Sequence, residues 1–216
     1  VLFRSLLERG YINVDPTACY SLVQRRGQRK NRDVIPNEVL AELTEWLREH
    51  NRHYLLACYI LHYLFVRPKE MSYLKVGDFS VKRKTLHLHG CNTKNHNDAV
   101  ITLPDHVLKL MLELGVFNSP SHYYLFGEGF MPSETYHSEK AFRDYWDRRV
   151  RKALNMSARY KFYSLKDTGI TNMLRANTDI LTVRDQARHS SILITDIYTP
   201  KDIKEANKCI LGYRGV

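Results

Sequence analysis

The sequence predicts a mainly α-helical protein with one small antiparallel β-sheet, an α+β fold. Apolar residues recur at helical spacing over most of the chain, whereas a central region holds two short segments with strand character. Hydrophobic residues make up 44% of the 216 residues, which is enough to fill the core of one fair-sized domain. No apolar run has the length of a transmembrane helix, so no membrane span is predicted.

The first 32 residues are predicted to contain the end of a helix and a basic linker. Residues 3–12 carry apolar side chains on roughly one face, and the segment NVDP then breaks the helix. The next stretch, SLVQRRGQRKNRD, has the composition of a linker. It is either a solvated charged loop or, as its density of cations favours, a strap across a phosphate backbone. Its candidate DNA-binding residues are Arg25, Arg26, Arg29, Lys30 and Arg32. Because the chain does not begin with Met, we expect it to be a piece of a longer protein.

Helical periodicity dominates residues 35–79. The segment IPNEVLAELTEWLREHN has an apolar stripe, with Asn37 as its expected N-cap. RHYLLACYILHYLFV is apolar on nearly all sides, which predicts a buried central helix. RPKEMSYLKVGDF predicts a short helix with Pro68 in its first turn, where proline is favoured.

The predicted sheet is a hairpin in which KTLHLHG and DAVITLP flank the polar tip CNTKNHN. Helices are predicted in DHVLKLMLELGV, in the basic segment EKAFRDYWDRRVRKALN, and in two or three short segments between about residues 163 and 208. His87, His89 and Cys91 raise the question of a metal site near the hairpin. A fourth ligand is unclear, so we predict neither a metal nor a cofactor.

The charge of the chain predicts a polyanionic partner. Its net charge is +10 and its pI is near 9.4, and nucleic acid is the commonest polyanion. Cys19, Cys58, Cys91 and Cys209 are scattered and form no CxxC pair, which argues against a disulfide framework or a zinc knuckle. We therefore expect a cytoplasmic protein that binds nucleic acid.

A histidine and a tyrosine near the C-terminus suggest phosphoryl-transfer chemistry. In ARHSSILITDIYTP, His189 and Tyr198 are nine residues apart. A phenol is mostly protonated at pH 7 and becomes a useful nucleophile where cations favour its anion. A DNA phosphodiester surrounded by Arg, Lys and His meets this requirement, because the same cations stabilise the transition state.

Four motifs, in this order, resemble those of tyrosine recombinases, the phage-type integrases. LFVRPKEMSYLKVGDF resembles box I, G-L-R-x-x-E-L-x-x-L-x-x-x-D, and TKNHNDAVITLP is similar to the β-hairpin lysine region. YSLKDTGITNML resembles box II, H-x-L-R-H-T-x-A-T, and the C-terminal stretch resembles L-G-H-x-S-x-x-T-T-x-x-Y. The resemblance runs from about Gly10 to the end of the chain, and its motifs are specific in combination.

The resemblance implies a tyrosine recombinase (DNA breaking-rejoining enzyme) catalytic fold in residues 33–216, preceded in residues 1–32 by the end of a core-binding domain and the linker. It also implies that Tyr198 cuts one DNA strand and leaves a 3′-phosphotyrosine and a free 5′-hydroxyl, without metal or ATP. Arg67 would bind the scissile phosphate, and Lys94 would protonate the leaving 5′-oxygen. The matched catalytic residues are Tyr198, Arg67, Lys94, Lys166 and His189, with Tyr163, Arg188 and Glu70 as supporting residues.

The chain departs from the family pattern at three of these positions. Tyr163 replaces the usual His, Lys166 replaces the usual second Arg, and Arg188 replaces the Gly before the histidine. A lysine keeps the charge but lacks the two-pronged guanidinium. Three interpretations follow: Lys166 substitutes adequately, Arg188 supplies the missing fork, or the protein binds DNA and cuts poorly. The Y-S-x-K form resembles integrases of bacterial conjugative transposons, which favours an active enzyme.

The predicted function is therefore site-specific recombination for integration or excision of a mobile element. The expected assembly is a tetramer on paired DNA sites, with or without accessory DNA-bending proteins. Competing hypotheses are a catalytically weakened DNA-binding accessory protein, a metal-dependent nuclease that uses His87 and His89, and a type IB topoisomerase-like enzyme. The tail TPKDIKEANKCILGYRGV is expected to form a short helix that docks on its own domain or on a neighbouring protomer.

Overall fold

The structure is a computed structural model, and it describes residues 2–14, 16, 32–93 and 96–199. Some of the sequence-based predictions concern other residues and lie outside the described part of the chain. They involve the linker cations Arg25, Arg26, Arg29 and Lys30, the hairpin lysine Lys94 and the C-terminal segment 200–216. The chain divides into two compact units, Val1–Asn31 and Arg32–Val216.

In the first unit, helix α1 spans Leu2–Glu8 and is shorter than the helix predicted over residues 3–12. It ends early because Gly10 adopts a left-handed backbone with a φ of 74°, which glycine tolerates. The amide of Tyr11 then donates to the carbonyl of Leu6 at 2.9 Å and closes the last turn.

Three helices open the second unit in the predicted order. They are α2 (Asn37–His50), α3 (Arg52–Tyr63) and α4 (Pro68–Met71). Pro36, and not Asn37, is the N-cap of α2, so this detail of the prediction was wrong. The Asn37 side chain instead accepts a hydrogen bond from Asn172, a residue far along the chain.

A three-stranded antiparallel sheet of order β1-β2-β3 follows α4. Its strands are β1 (Phe79–Ser80), β2 (Thr85–Leu88) and β3 (Ala99–Thr102). The predicted hairpin corresponds to β2 and β3, in which buried Leu86 pairs with buried Ile101. The sequence did not reveal β1, because two residues are too few to show an alternating pattern.

Six further α-helices lie in the described part of the second unit. They are α5 (Asp105–Glu113), α6 (Glu139–Tyr145), α7 (Arg151–Ala153), α8 (Ser164–Arg175), α9 (Ile180–Ala187) and α10 (Ile192–Asp196). The predicted single helix over α6 and α7 is interrupted by a π-helical turn at Trp146–Val150. Phe142, Trp146 and Val150 are all buried. In an α-helix, residues four apart differ by about 40° in direction around the axis. The wider π turn offsets this rotation and keeps the three side chains on the buried face.

A helix side chain covers one residue of the outer edge of β3. Gln186 of α9 accepts a hydrogen bond from the amide of Thr102 at 3.0 Å and donates one to its carbonyl at 2.9 Å. The glutamine amide thus makes the two hydrogen bonds that a neighbouring strand would make. This pair of bonds ties the hairpin to the helix that precedes His189.

Helix α3 lies at the centre of the core and packs extensively against α8. The two helices approach most tightly at Gly169, where a Cβ atom would lie 1.9 Å from the carbonyl oxygen of His62. The His62 ring also bonds to the carbonyl of Leu165 at 3.0 Å. These contacts place the end of α3 beside the start of α8. No described helix has the length and apolar character needed to cross a membrane.

We expect Gly169→Ala to lower the free energy of unfolding by about 2–3 kcal/mol, because the added methyl forces α8 away from α3. Chemical denaturation would measure this loss. Gly129→Ala is the matched control, because Gly129 has a positive φ but its Cβ would meet only a Met131 methyl at 3.6 Å. That variant should lose only about 1–2 kcal/mol of stability, because alanine is strained in this left-handed conformation. Equal losses in the two variants would contradict the close helix contact.

Candidate active site

The site is built around the carbonyl of Phe65, which follows α3. Phe65 has a φ of 57°, an unusual left-handed conformation for a bulky residue. Its carbonyl accepts hydrogen bonds from Lys166 Nζ at 2.7 Å and from Arg188 Nη2 at 3.4 Å. Its ring is fully buried in a small cluster formed with Ile170, Val183 and Ala187. Ring burial and the two cations together hold a backbone conformation that is costly on its own.

Glu70 links two of the candidate arginines. It is 3% exposed, and its carboxylate accepts from the Arg67 amide at 2.9 Å, Arg67 Nη1 at 3.0 Å and Arg188 Nη2 at 2.7 Å. Burial alone raises the pKa of Glu70, but the hydrogen bonds and charges of Arg188 and Arg67 outweigh it and lower the pKa overall. Glu70 is therefore ionised at neutral pH. It fixes Arg67 at the N-terminus of α4 by accepting from both the backbone amide and the guanidinium of that residue.

Lys166 occupies the first turn of α8 and is 2% exposed. Burial lowers its pKa to about 7, with further contributions from the charges of Arg67 and Arg188. The ammonium donates to the Phe65 carbonyl, so it lies inside the protein and beside the two arginines. Near neutral pH, the protonation state of the Lys166 amine is therefore sensitive to the neighbouring charges.

Arg188 ends α9 in a left-handed conformation with a φ of 54°. The sequence pattern has glycine at this place, because glycine adopts that backbone without strain. The arginine side chain turns to Glu70 and Phe65, and its Nε is buried without a hydrogen-bond partner among the described residues. An unsatisfied buried donor is costly, so this atom suits an anion that enters the site.

Tyr198 lies next to a second carboxylate. Its hydroxyl donates to Asp167 Oδ1 at 2.8 Å, and Arg32 Nε donates to Asp167 Oδ2. The Arg32 guanidinium also lies 4.3 Å from the ring centre of Tyr163. Burial, followed by the charge and hydrogen bond of Asp167, raises the pKa of Tyr198 well above its ordinary value. The phenol is therefore protonated in this structure.

His189 directly follows Arg188 and precedes Tyr198 by nine residues. Its Nδ1 bonds to Thr195 Oγ1 of α10 at 2.9 Å, and its ring is nearly parallel to the Tyr198 ring at 6.2 Å between centroids. The nine-residue interval thus contains α10, which turns the chain back so that the two rings meet. Tyr198 also packs against the Phe65 cluster.

The structure thus brings together nearly all of the described candidates. One group surrounds Phe65 and Glu70, and the other surrounds Asp167. The first contains Arg67, Lys166 and Arg188, and the second contains Arg32, Tyr163 and Tyr198, with His189 alongside. Lys94 lies outside the described residues. Arg32, predicted as part of a DNA-binding strap, contacts Asp167 in this structure.

Sequence reasoning missed Phe65 and Asp167. Asp167 stands where the box II pattern has its second histidine, and this fourth departure was the available signal. Phe65 acts through its backbone, so its side chain gave no indication of the role of its carbonyl.

The histidines considered for a metal site have carboxylate neighbours. His89 Nε2 bonds to Asp78 Oδ1 at 2.9 Å, and His87 Nε2 lies 3.6 Å from Asp98 Oδ2. Across residues 2–14, 16, 32–93 and 96–199, no three His, Cys, Asp or Glu side chains are grouped so that they could hold a metal ion.

A family model and several solved structures match this chain. The model described as the phage integrase family matches residues 23–205. The crystal structure of XerA recombinase shares 18% identity and a TM-score of 0.65, over 83% of this chain and 62% of that one. No curated protein matches the chain.

Two DNA complexes also share the fold. Tn1549 transposon integrase bound to transposon right end DNA has 12% identity and a TM-score of 0.72, over 93% of this chain and 71% of that one. A lambda integrase dimer bound to a core site has 16% identity and a TM-score of 0.64, over 95% of this chain and 71% of that one. These similarities show the recombinase catalytic fold, mostly helical with a small antiparallel sheet, as the sequence predicted. The chain spans less than two thirds of the XerA recombinase.

We expect Lys166→Met to increase stability below about pH 7, by about 1–3 kcal/mol, because it removes a buried charge. The pKa of Lys166 is lowered in the folded state, so the penalty for burying its charge is complete below the folded pKa of about 7. The penalty decreases as the pH rises toward the pKa that this lysine has in the unfolded chain. The difference from the wild type should therefore shrink between pH 7 and pH 10.

Urea denaturation at several pH values would measure this trend. The control is Lys109→Met on the exposed side of α5, which should change stability little at any pH. A Lys166→Met variant that is less stable than the wild type at pH 6 would contradict the buried-charge interpretation.

Proposed function

The chain belongs to the phage integrase family, and from this premise we propose that it is a tyrosine-type site-specific recombinase that cuts and rejoins double-stranded DNA. The observation that carries the proposal is the cation cluster beside the tyrosine. Arg67, Lys166 and Arg188 meet at Glu70 and the Phe65 carbonyl. The Phe65 ring belongs to the cluster against which Tyr198 packs, so nucleophile and cations share one support.

The proposed reaction begins with attack of Tyr198 Oη on a DNA phosphorus. The bond to the 5′-oxygen breaks, and a 3′-phosphotyrosine and a free 5′-hydroxyl result. Arg67 and Arg188 stabilise the negative charge of the transition state, and Arg188 supplies the guanidinium fork that Lys166 lacks. Lys94 protonates the leaving oxygen, and His189 bonds the phosphate. The ester keeps the energy of the broken bond, so a second strand can be joined without ATP.

The proposed domain arrangement follows from the same family. Residues 33–216 form the catalytic domain, and residues 1–32 contain the end of a core-binding domain and its linker. The compact unit that begins at Arg32 supports this boundary. We propose integration or excision of a mobile element as the biological role, because Tn1549 transposon integrase and lambda integrase share the fold. A tetramer on paired DNA sites, with or without bending proteins, is the proposed assembly.

A DNA-binding protein without strand cleavage is the second candidate. Lys166 has a pKa of about 7 and a single-point donor where the family has an arginine, which weakens phosphate binding. The raised pKa of Tyr198 and its bond to Asp167 also oppose formation of the phenolate. These features favour a protein that binds DNA without cleaving it only if DNA binding leaves the geometry of the site unchanged.

Covalent trapping distinguishes the two candidates. The full-length protein is incubated in EDTA with nicked suicide duplexes that carry the joined ends of its mobile element, and the products are separated on a denaturing gel. We expect a protein–DNA adduct with the wild type and none with Tyr198→Phe, because only the phenol oxygen can form the ester. Specific binding in a gel shift without an adduct would favour the protein that binds DNA without cleaving it. Cleavage that leaves no adduct and stops when EDTA is added would favour a metal nuclease.

Arg188→Met should reduce the rate of adduct formation at saturating protein by about 10²–10³-fold, because it removes a charge-assisted donor to the phosphate. Lys166→Ala should have an effect of the same order if its ammonium is charged in the DNA complex. Arg175→Met is the matched control, because this exposed arginine lies nine residues beyond Lys166 at the far end of α8. Quench-flow or timed sampling would give the rates, and an Arg188→Met rate equal to the control would remove Arg188 from the site.

A further inference from the structure

We propose that Asp167 is the general base of strand cleavage, the group that takes the proton from Tyr198 as the phenol oxygen attacks the phosphodiester. This inference rests on the proposed function and adds a catalytic residue to it. Asp167 is 4% exposed, and its Oδ1 is 2.8 Å from Tyr198 Oη, within the range for direct proton transfer. The box II pattern has a histidine, and not a carboxylate, at this position.

The surroundings of the phenol explain why a base in contact is needed. Burial and the neighbouring carboxylate raise the pKa of Tyr198, so a free phenolate is scarce at neutral pH. The proton must therefore leave as the oxygen attacks, and an acceptor must already be in place. The charged and titratable groups around the pair include Arg32, Tyr163, Lys166 and His189. Among these surroundings, Asp167 is the group that accepts the phenol's hydrogen bond.

Arg32 acts as a positioning residue for the base. Its Nε donates to Asp167 Oδ2, the oxygen that does not face Tyr198. The guanidinium is also held over the Tyr163 ring, so the carboxylate keeps one orientation. The positive charge of Arg32 further offsets the repulsion that a buried carboxylate exerts on an incoming phosphate.

The transfer also moves charge in a favourable direction. When Asp167 takes the proton, its carboxylate becomes neutral and the negative charge passes to the phosphorus centre. That centre faces Arg67, Lys166 and Arg188 in the proposed complex, so the charge arrives where cations are already fixed. The site as a whole keeps the same charge during the step.

The balanced step is as follows. The Tyr198 Oη–P bond forms, the P–O5′ bond breaks, and the Tyr198 proton moves to Asp167 Oδ1. The 5′-oxygen takes a separate proton from the general acid, proposed above to be Lys94. In the joining step a 5′-hydroxyl attacks the phosphorus, and protonated Asp167 returns its proton to the departing Tyr198 oxygen.

Two suicide substrates separate the base from the acid. One has the natural 5′-oxygen at the scissile bond, and the other has a bridging 5′-sulfur, which leaves without protonation because thiols are far more acidic than alcohols. With the oxygen substrate, Asp167→Asn should cleave about 10²-fold more slowly than the wild type at equal DNA affinity. The defect should persist with the sulfur substrate, whereas the defect of Lys94→Ala should largely disappear.

The pH dependence gives an independent readout. The Asp167→Asn rate should rise with pH between 6 and 9, because hydroxide replaces the missing base, whereas the wild-type rate should rise much less. Asp167→Glu, which keeps a carboxylate, should recover part of the rate and the wild-type pH profile. Arg32→Gln should slow cleavage without adding the steep pH dependence, because the base is still present. Circular dichroism of each variant checks that it is folded.

Three outcomes would overturn the proposal. Cleavage by Asp167→Asn that is as fast as the wild type, or faster, would show that Asp167 restrains the tyrosine. A defect that vanishes with the sulfur substrate would make Asp167 part of the acid. Equal rates and pH profiles for Asp167→Asn and Arg32→Gln would reduce its role to packing. Absence of a wild-type adduct with either substrate would instead reject the proposed function.

Discussion

The hydrogen bonds to the Phe65 carbonyl are the interaction on which the candidate site depends. This carbonyl turns inward because Phe65 adopts a left-handed backbone after α3. It then accepts from Lys166 of α8 and from Arg188 at the end of α9. One backbone oxygen therefore fixes the relative positions of three segments that are far apart in sequence. The tight packing of α3 on α8 at Gly169 keeps that oxygen within reach of Lys166.

The arginine side chains of the site form ion pairs with two buried carboxylates. Glu70 holds Arg67 and Arg188, and Asp167 holds Arg32. Buried ion pairs add little net stability, because desolvation offsets most of the attraction. Their value here is geometric, since each guanidinium is fixed in place before any anion arrives. Among the residues that the structure describes, Arg188 Nε has no hydrogen-bond partner, which would favour binding of an anion there.

The sequence predicted the type of fold and most of the site, because both depend on local patterns. Helical periodicity gave α2, α3, α5 and α8, and the alternating segments gave β2 and β3. Family-like motifs selected Arg67, Lys166 and His189 as candidates, and the structure places them near one another or near Tyr198. The π turn within the basic helix was not predictable, because it depends on how buried side chains fit against the rest of the core.

What the sequence did not reveal concerns contacts between distant residues. The position of Asn37 in its helix depended on Asn172, and the place of Arg32 depended on Asp167, both far away in the chain. The motifs marked Lys166 as a candidate catalytic cation, but only the folded structure shows that it is buried with a lowered pKa. Asp167 was overlooked because carboxylates are unexpected where a phosphate is to bind.

The Gln186 side chain has a consequence for the solubility of the protein. An open strand edge offers unpaired amide and carbonyl groups to other chains, and it is a common starting point for aggregation or exchange of strands between molecules. At Thr102 both backbone groups of the outer strand are already occupied by the glutamine amide. In the proposed assembly of several copies on DNA, this part of the strand edge is therefore closed to association through the backbone.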